Sequence, residues 1–234
     1  MKRIIELLKG FGVLLLYLLL PSLLVLIIKL FVNNISDKVM VSILILIQLI
    51  CALVLMLLYR KTLINDFKNM KENYKSHLNI AFKYWCMGLI AMVVFNYIIN
   101  IIINPGGLAV NEEMNRTLID ENILYAIVAV LICAPIMEEL VFRAAFKKAF
   151  KKAITFAIFS GLLFASLHVT TAFIEMESFS EIIKNWKELL YLFPYGSLGF
   201  AFGYTYYKTD NIFSTIIVHF AHNLMTVILI LLVL

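Results

Sequence analysis

Charge is scarce in this chain. Only 15% of its 234 residues are Asp, Glu, Lys or Arg, 63% are hydrophobic, and the mean hydropathy is +0.95. A soluble domain carries nearer a quarter of its residues as charges, so the shortage excludes a water-solvated globule. Cysteine is scarce as well. Cys51, Cys86 and Cys133 stand singly in apolar stretches with no CxxC spacing, which excludes a disulfide framework and leaves them as small buried hydrophobes. The sequence also lacks an internal repeat, a low-complexity segment and the HExxH helix of the common zinc proteases.

Long apolar runs are abundant. They show no polar face of the kind a soluble bundle presents, and lipid is the solvent that suits them. A spanning helix needs about 20 apolar residues. Such stretches fall near 11–32, 39–59, 80–103, 122–140, 154–173, 187–207 and 211–234. The expected fold class is therefore all-α, a polytopic membrane helix bundle with about seven transmembrane helices. The first run follows Lys2, Arg3 and Lys9 as a signal peptide would, but no small-residue cleavage site comes after it, so it reads as a retained span.

The formal net charge of +5 does not point to nucleic acid, because the basic residues lie between apolar runs rather than on one amphipathic element. They orient the chain instead. One set of linkers holds Lys2, Arg3 and Lys9, then Arg60, Lys61, Lys68, Lys71 and Lys75, then Arg143, Lys147, Lys148, Lys151 and Lys152, then Lys208. The alternate set is poorer, with Lys38, Arg116 among four acids, and Lys184 among Glu175, Glu177 and Glu181. The N-terminus is expected in the cytoplasm. The stretch Arg143 to Lys152, with Phe146 and Phe150 one turn apart, is expected to form a basic amphipathic helix able to lie on an anionic leaflet.

An ionisable side chain inside a span costs about 2.5–3.5 kcal/mol on insertion scales, so each one is a functional candidate. Glu138 and Glu139 end the apolar run Ile123 to Met137, just after Pro135, which removes a backbone hydrogen bond and is expected to kink the helix. Arg143 lies four residues beyond Glu139, on the same face, so these two can pair. Glu138 points roughly 140° away from Arg143 and is free to meet another helix. His168 follows Phe164 by one turn in the fifth span. His219 and Asn223 share a face of the last span, with His222 beside them. Taken singly, each of these polar groups reads as readily as a packing or interhelical hydrogen-bonding residue. Together they bring an acid, an imidazole, and an imidazole with an amide onto three helices. That set makes a general-base site: Glu138 takes a proton from water, His168 helps hold the water, and His219 and Asn223 donate to an oxyanion.

Glu138-Glu139-x-x-x-Arg143, Phe164-x-x-x-His168 and His219-x-x-x-Asn223, in that order on separate spans, resemble the three-motif signature of the CPBP (CAAX protease and bacteriocin-processing) family of intramembrane proteases. The stretch Gly199-x-x-x-Gly203-Tyr204 with Thr209-Asp210-Asn211 resembles that family's approach to its last motif; on its own it reads as close helix packing. The resemblance covers about 122–230. It implies a variable membrane region at 1–120 and a catalytic core at 121–234. It also implies that Glu138 and His168 activate the water, that His219 and Asn223 form the oxyanion hole, and that Glu139, Arg143 and Phe164 support the site. No cofactor is expected; if zinc is used, Glu138, His168 and His219 are the residues that could ligate it.

The expected function is hydrolysis of a peptide bond in a membrane-associated peptide or protein, such as a pheromone, a bacteriocin precursor or a CAAX-like substrate, in a bacterial plasma membrane. Membrane lipid is the expected surrounding, and nucleic acid is not a partner. The sequence leaves two alternatives open. One is a non-proteolytic bacteriocin self-immunity or scaffold protein. The other is a proton-coupled transporter, which also uses buried Glu and His but is expected to show related halves that this chain lacks.

Overall fold

The computed structural model describes residues 1–32, 35–103, 105, 107–174 and 179–233; Glu175 and Glu177 of the acidic linker lie outside them. Within these residues the chain is all helical. In order come α1 (Lys2–Phe31), α2 (Asp37–Leu58), α3 (Arg60–Ile98), α4 (Val110–Glu121), α5 (Ala134–Glu139), α6 (Ala153–Thr170), α7 (Phe179–Lys184), α8 (Leu192–Thr209) and α9 (Ile212–Val233). Six of the helical segments are long and apolar enough to cross a membrane: Lys2–Phe31, Lys38–Leu58, Arg60–Ile102, Tyr125–Ala149, Ala153–Phe173 and Ile212–Leu232. The seventh expected span corresponds to α8. Its 18 residues give a length of about 27 Å, enough to span, but it is too polar to meet lipid and packs inside the protein.

The apolar runs divide their faces between lipid and protein. In α1, Leu15, Leu19, Leu23 and Leu26 are exposed while Leu14 is buried; in α2, Leu46, Leu49 and Leu53 are exposed while Ile47, Cys51 and Leu55 are buried. Exposed leucines in these numbers would make a soluble protein aggregate; here they form the lipid surface. The buried faces meet in one large cluster that joins α1 and α2 to Met137, Leu140, Val141, Phe142, Phe146, Phe156 and Phe164.

At the centre lies α8, between α6 and α3. Glycine lets it approach both. A Cβ on Gly161 would lie 2.7 Å from the backbone nitrogen of Phe200 and 2.9 Å from the carbonyl oxygen of Gly196, and one on Gly199 would lie 3.0 Å from the Cα of Gly161. The expected small-residue packing at Gly199 and Gly203 is thus a backbone-on-backbone crossing with α6.

Two elements differ from the sequence expectation. Residues 60–79, expected as a linker, are helical and lead into the third span, with a kink at Asn73 (φ −119°, ψ 18°) that divides the 39-residue α3 into two helical stretches. Its extended first half is anchored to the start of α9. Asp66 Oδ2 accepts from Ile212 N at 2.8 Å, and Asn211 Nδ2 donates to the Asp66 carbonyl at 2.7 Å and to Asn69 Oδ1 at 3.1 Å. Asn211 Oδ1 accepts from Phe213 N at 3.0 Å as a helix cap.

The stretch from Arg143 to Lys152 is not an amphipathic surface helix. Arg143 and Phe146 are fully buried, the segment breaks into a short 3₁₀ turn at Lys147–Ala149, and Lys147 pairs with Asp210. Phe146 is held edge-on by Phe11 and Phe159 at ring distances of 5.3 and 5.1 Å, and burying that ring in the core outweighs laying it on lipid.

Candidate active site

The helix that carries the two glutamates changes its winding twice. Tyr125–Cys133 is wound as a π-helix, Ala134–Glu139 as an α-helix, and Leu140–Ala144 again as a π-helix. Ala134 N donates to Ala129 O, a π-type bond five residues back. The next bond in that register would run from Pro135 to Val130 O, but proline has no N–H. Val130 O is therefore free, and Asn223 Nδ2 donates to it at 2.9 Å. The disruption expected at Pro135 takes this form: a change of winding, with the orphaned carbonyl satisfied from α9. Such π segments are rare and concentrate at functional sites.

Glu139 and Arg143 form a fully buried ion pair, with Arg143 Nε 3.2 Å from Glu139 Oε2 but not pointing its N–H at that oxygen. The guanidinium faces the rings of Phe164 at 4.8 Å and Phe202 at 5.5 Å, and Nη2 donates to Gly199 O at 3.4 Å. The other carboxylate oxygen of Glu139 is 2.8 Å from His219 Nδ1. A carboxylate paired with arginine accepts only, so Nδ1 carries the hydrogen and Nε2 is turned the other way. There it lies 3.6 Å from Glu138 Oε2. His219 is thus set between the two glutamates, with its plane stacked on Phe202 at 4.8 Å.

Glu138 differs from Glu139 in its surroundings. Its side chain is 12% exposed, and Oε2 is buried with no hydrogen-bond partner among the described residues. A separation of 3.6 Å to His219 is too long for a direct hydrogen bond.

His168 is fixed on both sides of its ring. Nδ1 lies 2.9 Å from Phe164 O, an acceptor, so the hydrogen is on Nδ1 and Nε2 carries the lone pair. Phe164 and Tyr195 sandwich the imidazole at centroid distances of 4.2 and 4.8 Å. Tyr195 in turn receives a 3.5 Å hydrogen bond from Asn111 of α4.

A cavity of about 760 Å³ opens over these groups, lined by Glu138, Phe164, His168, His219 and Asn223; Glu139 and Arg143 stand behind it. His222 also lines it, with a buried Nδ1 that has no hydrogen-bond partner among the described residues. The structure therefore brings the sequence-derived residues of three motifs to one chamber. Tyr195 was not legible from the sequence, because an aromatic stack between helices leaves no local pattern. Gln48 of α2, which also lines the cavity, was legible in principle, as a lone amide in an apolar span.

The zinc alternative requires at least three ligands to converge. Among the described residues no three His, Cys, Asp or Glu side chains do so. As placed, these side chains do not converge on a zinc site, and the steps below are written for this chain's own residues.

Residues 120–225 match the family model described as type II CAAX prenyl endopeptidase Rce1-like. No match is found among the curated proteins or among the solved structures. The matched segment holds every residue of the three motifs and the helix whose winding brings Glu138 into the chamber. Over residues 120–225 the chain is thus similar to the Rce1-like CAAX endopeptidases, and six helical segments among its described residues are long and apolar enough to make it a multi-pass membrane protein.

Proposed function

We propose that the chain hydrolyses a peptide bond in a membrane-associated peptide or protein, with Glu138 as the base and no metal. The observation that carries this reading is Glu138 Oε2, a buried carboxylate oxygen with no hydrogen-bond partner among the described residues, on a side chain that lines the cavity 3.6 Å from His219. A buried acceptor left unsatisfied costs about 1–3 kcal/mol, so its retention calls for a ligand, and water is the ligand the chemistry needs.

In the proposed reaction, water sits between Glu138 and the lone pair of His168 Nε2. Glu138 takes one of its protons as the oxygen attacks the carbonyl carbon, and returns that proton to the amine as the C–N bond breaks. Asn223 has a second amide hydrogen beyond the one given to Val130 O, and this donates to the oxyanion. With Nδ1–H given to Glu139, His219 can donate from Nε2 only as the imidazolium, a form flanked by Glu138 and Glu139. The basic linkers support a cytoplasmic N-terminus, and in this reading the membrane is a bacterial plasma membrane and the substrates are peptide pheromone or bacteriocin precursors.

The test is to incubate purified protein with membrane peptides and read products by mass spectrometry, with and without a chelator. Glu138→Ala should lose about 100-fold or more in rate while keeping its melting temperature. Glu139→Ala should lose stability as well, about 3–5 kcal/mol, because Arg143 is left as a buried unpaired charge. Unchanged cleavage by Glu138→Ala would overturn the assignment, and loss of cleavage on chelation would restore a metal. If a cellular phenotype survives both Glu138→Ala and His219→Ala, the immunity or scaffold reading replaces this one.

A further inference from the structure

The chamber wall is not confined to the segment that matches the family. From α3, Leu89, Met92, Val93 and Asn96 line it at spacings i, i+3, i+4 and i+7, one face of that helix, and from α2 Gln48 lines it. Both helices precede residue 120, where the match begins. Gln48 interrupts an unbroken apolar stretch, with Ile43 to Ile47 before it and Leu49 and Ile50 after it. Exposed Leu46, Leu49 and Ile50 mark the outward faces of α2, while Gln48 is half-buried and turned to the chamber.

The amides around this chamber fall into two groups. Those on α4 and α9 are engaged: Asn223 with Val130 O, Asn111 with Tyr195 and Asn115 with Asn111 O. The side chains of Gln48 and Asn96 make no hydrogen bond to any described residue. An amide in a spanning helix is disfavoured in lipid and settles where it finds partners. Here no described residue supplies the partner.

We propose that Gln48 and Asn96 form a subsite for the substrate's main chain beside the scissile bond. A carboxamide offers one acceptor and two donors, the complement of a peptide group's N–H and C=O. A lipid ester or a hydrocarbon chain has no N–H to answer the amide oxygen, so the chemistry selects an extended peptide. Such a segment at membrane depth must have its backbone groups satisfied, and two amides lining the cavity can do this. Leu89, Met92 and Val93 then take its apolar side chains. Specificity in this scheme comes from helices outside the matched domain. The proposal rests on the peptidase reading above.

The experiment uses the full chain and a peptide that the wild-type protein cleaves, together with versions carrying a single backbone N-methyl group at successive positions. In wild type, one N-methyl position should raise KM about 3- to 10-fold, the worth of one neutral hydrogen bond. In Gln48→Leu the unmodified peptide should show a similar rise in KM, and the added effect of that N-methyl group should vanish, as in a double-mutant cycle. An N-methyl effect that persists undiminished in Gln48→Leu overturns the subsite. Thermal unfolding in detergent supplies a readout that needs no cleavage. Gln48→Leu should melt at or above the wild-type temperature, because a free amide has been replaced by an apolar group. A clear fall in melting temperature would make Gln48 a structural residue and overturn the proposal. If the wild-type protein cleaves no peptide at all, the peptidase reading fails first and the subsite falls with it.

Discussion

Tyr195 shows what a single residue contributes when its partners are distant in sequence. Phe164 lies one turn before His168 on the same helix, but the other wall of that imidazole comes from α8, 4.8 Å away. With Nδ1 fixed by Phe164 O and both ring faces covered, Nε2 has one direction left. Tyr195→Leu should lower kcat about 10-fold or more with little change in KM, because the nitrogen proposed to hold the water loses its aim. Tyr195→Phe keeps the ring and loses only the hydroxyl tie to Asn111, so its kcat should remain within about 2-fold of wild type. An imidazole readout separates positioning from simple instability. The chain has four histidines. Nitrogen NMR of 15N-histidine-labelled protein should show the His168 tautomer mixed in Tyr195→Leu and fixed in Tyr195→Phe.

The pairing of Glu139 with Arg143 was readable from an interval of four residues, since helical geometry alone brings them to one face. The bond from Glu139 to His219 was not, because it joins residues 80 positions apart. That bond gives Glu139 a second duty, orienting the imidazole, and no periodicity encodes it.

Among the elements, the crossing of α6 and α8 is the tightest constraint. Gly161 faces backbone atoms of α8 at 2.7 and 2.9 Å from where a Cβ would sit, and backbone cannot step aside as a flexible side chain can. Gly161→Ala should therefore destabilise the protein by about 1–3 kcal/mol, seen as a lower melting temperature in detergent. Gly12→Ala on α1 is the control, since nothing lies within 4 Å of its Cβ position. The same crossing places His168 against Tyr195, so loosening it should also reduce activity. Small residues at four-residue spacing announced a close contact; which helix they would touch was a matter of tertiary arrangement. The π windings around Glu138 were foreshadowed only by Pro135, which says that a bond is lost and not how the loss is absorbed.

At the scale of the whole molecule, the first three helices are part of the chamber and of the core. Leu14, Ile47, Cys51 and Leu55 pack with Met137, Leu140 and Phe142, and Tyr17, Gln48 and Asn96 reach the cavity. A fragment limited to residues 107–234 should thus fail to give a monodisperse species in detergent and should not cleave peptides, although it contains every motif residue. Size-exclusion chromatography and the mass-spectrometric assay check both outcomes. A fragment that folds and cleaves would show that α1–α3 are dispensable to the chemistry.

Composition and run length, by themselves, determined that this chain lives in lipid and is built of helices, because burying about 20 apolar residues at a time leaves no other regular structure with satisfied backbone groups. Local spacing determined which polar residues share a helix face, and so singled out Glu138, His168, His219 and Asn223. Tertiary structure alone decided that α8 is an internal helix, that Arg143 and Phe146 are core residues, and that Tyr195 and Asn223 join the site through partners on other helices. The division has a physical origin. Solvent preference and helical period act over one turn or one span and are written into neighbouring residues, whereas the contacts that aim an imidazole or satisfy an orphaned carbonyl join residues far apart in the chain.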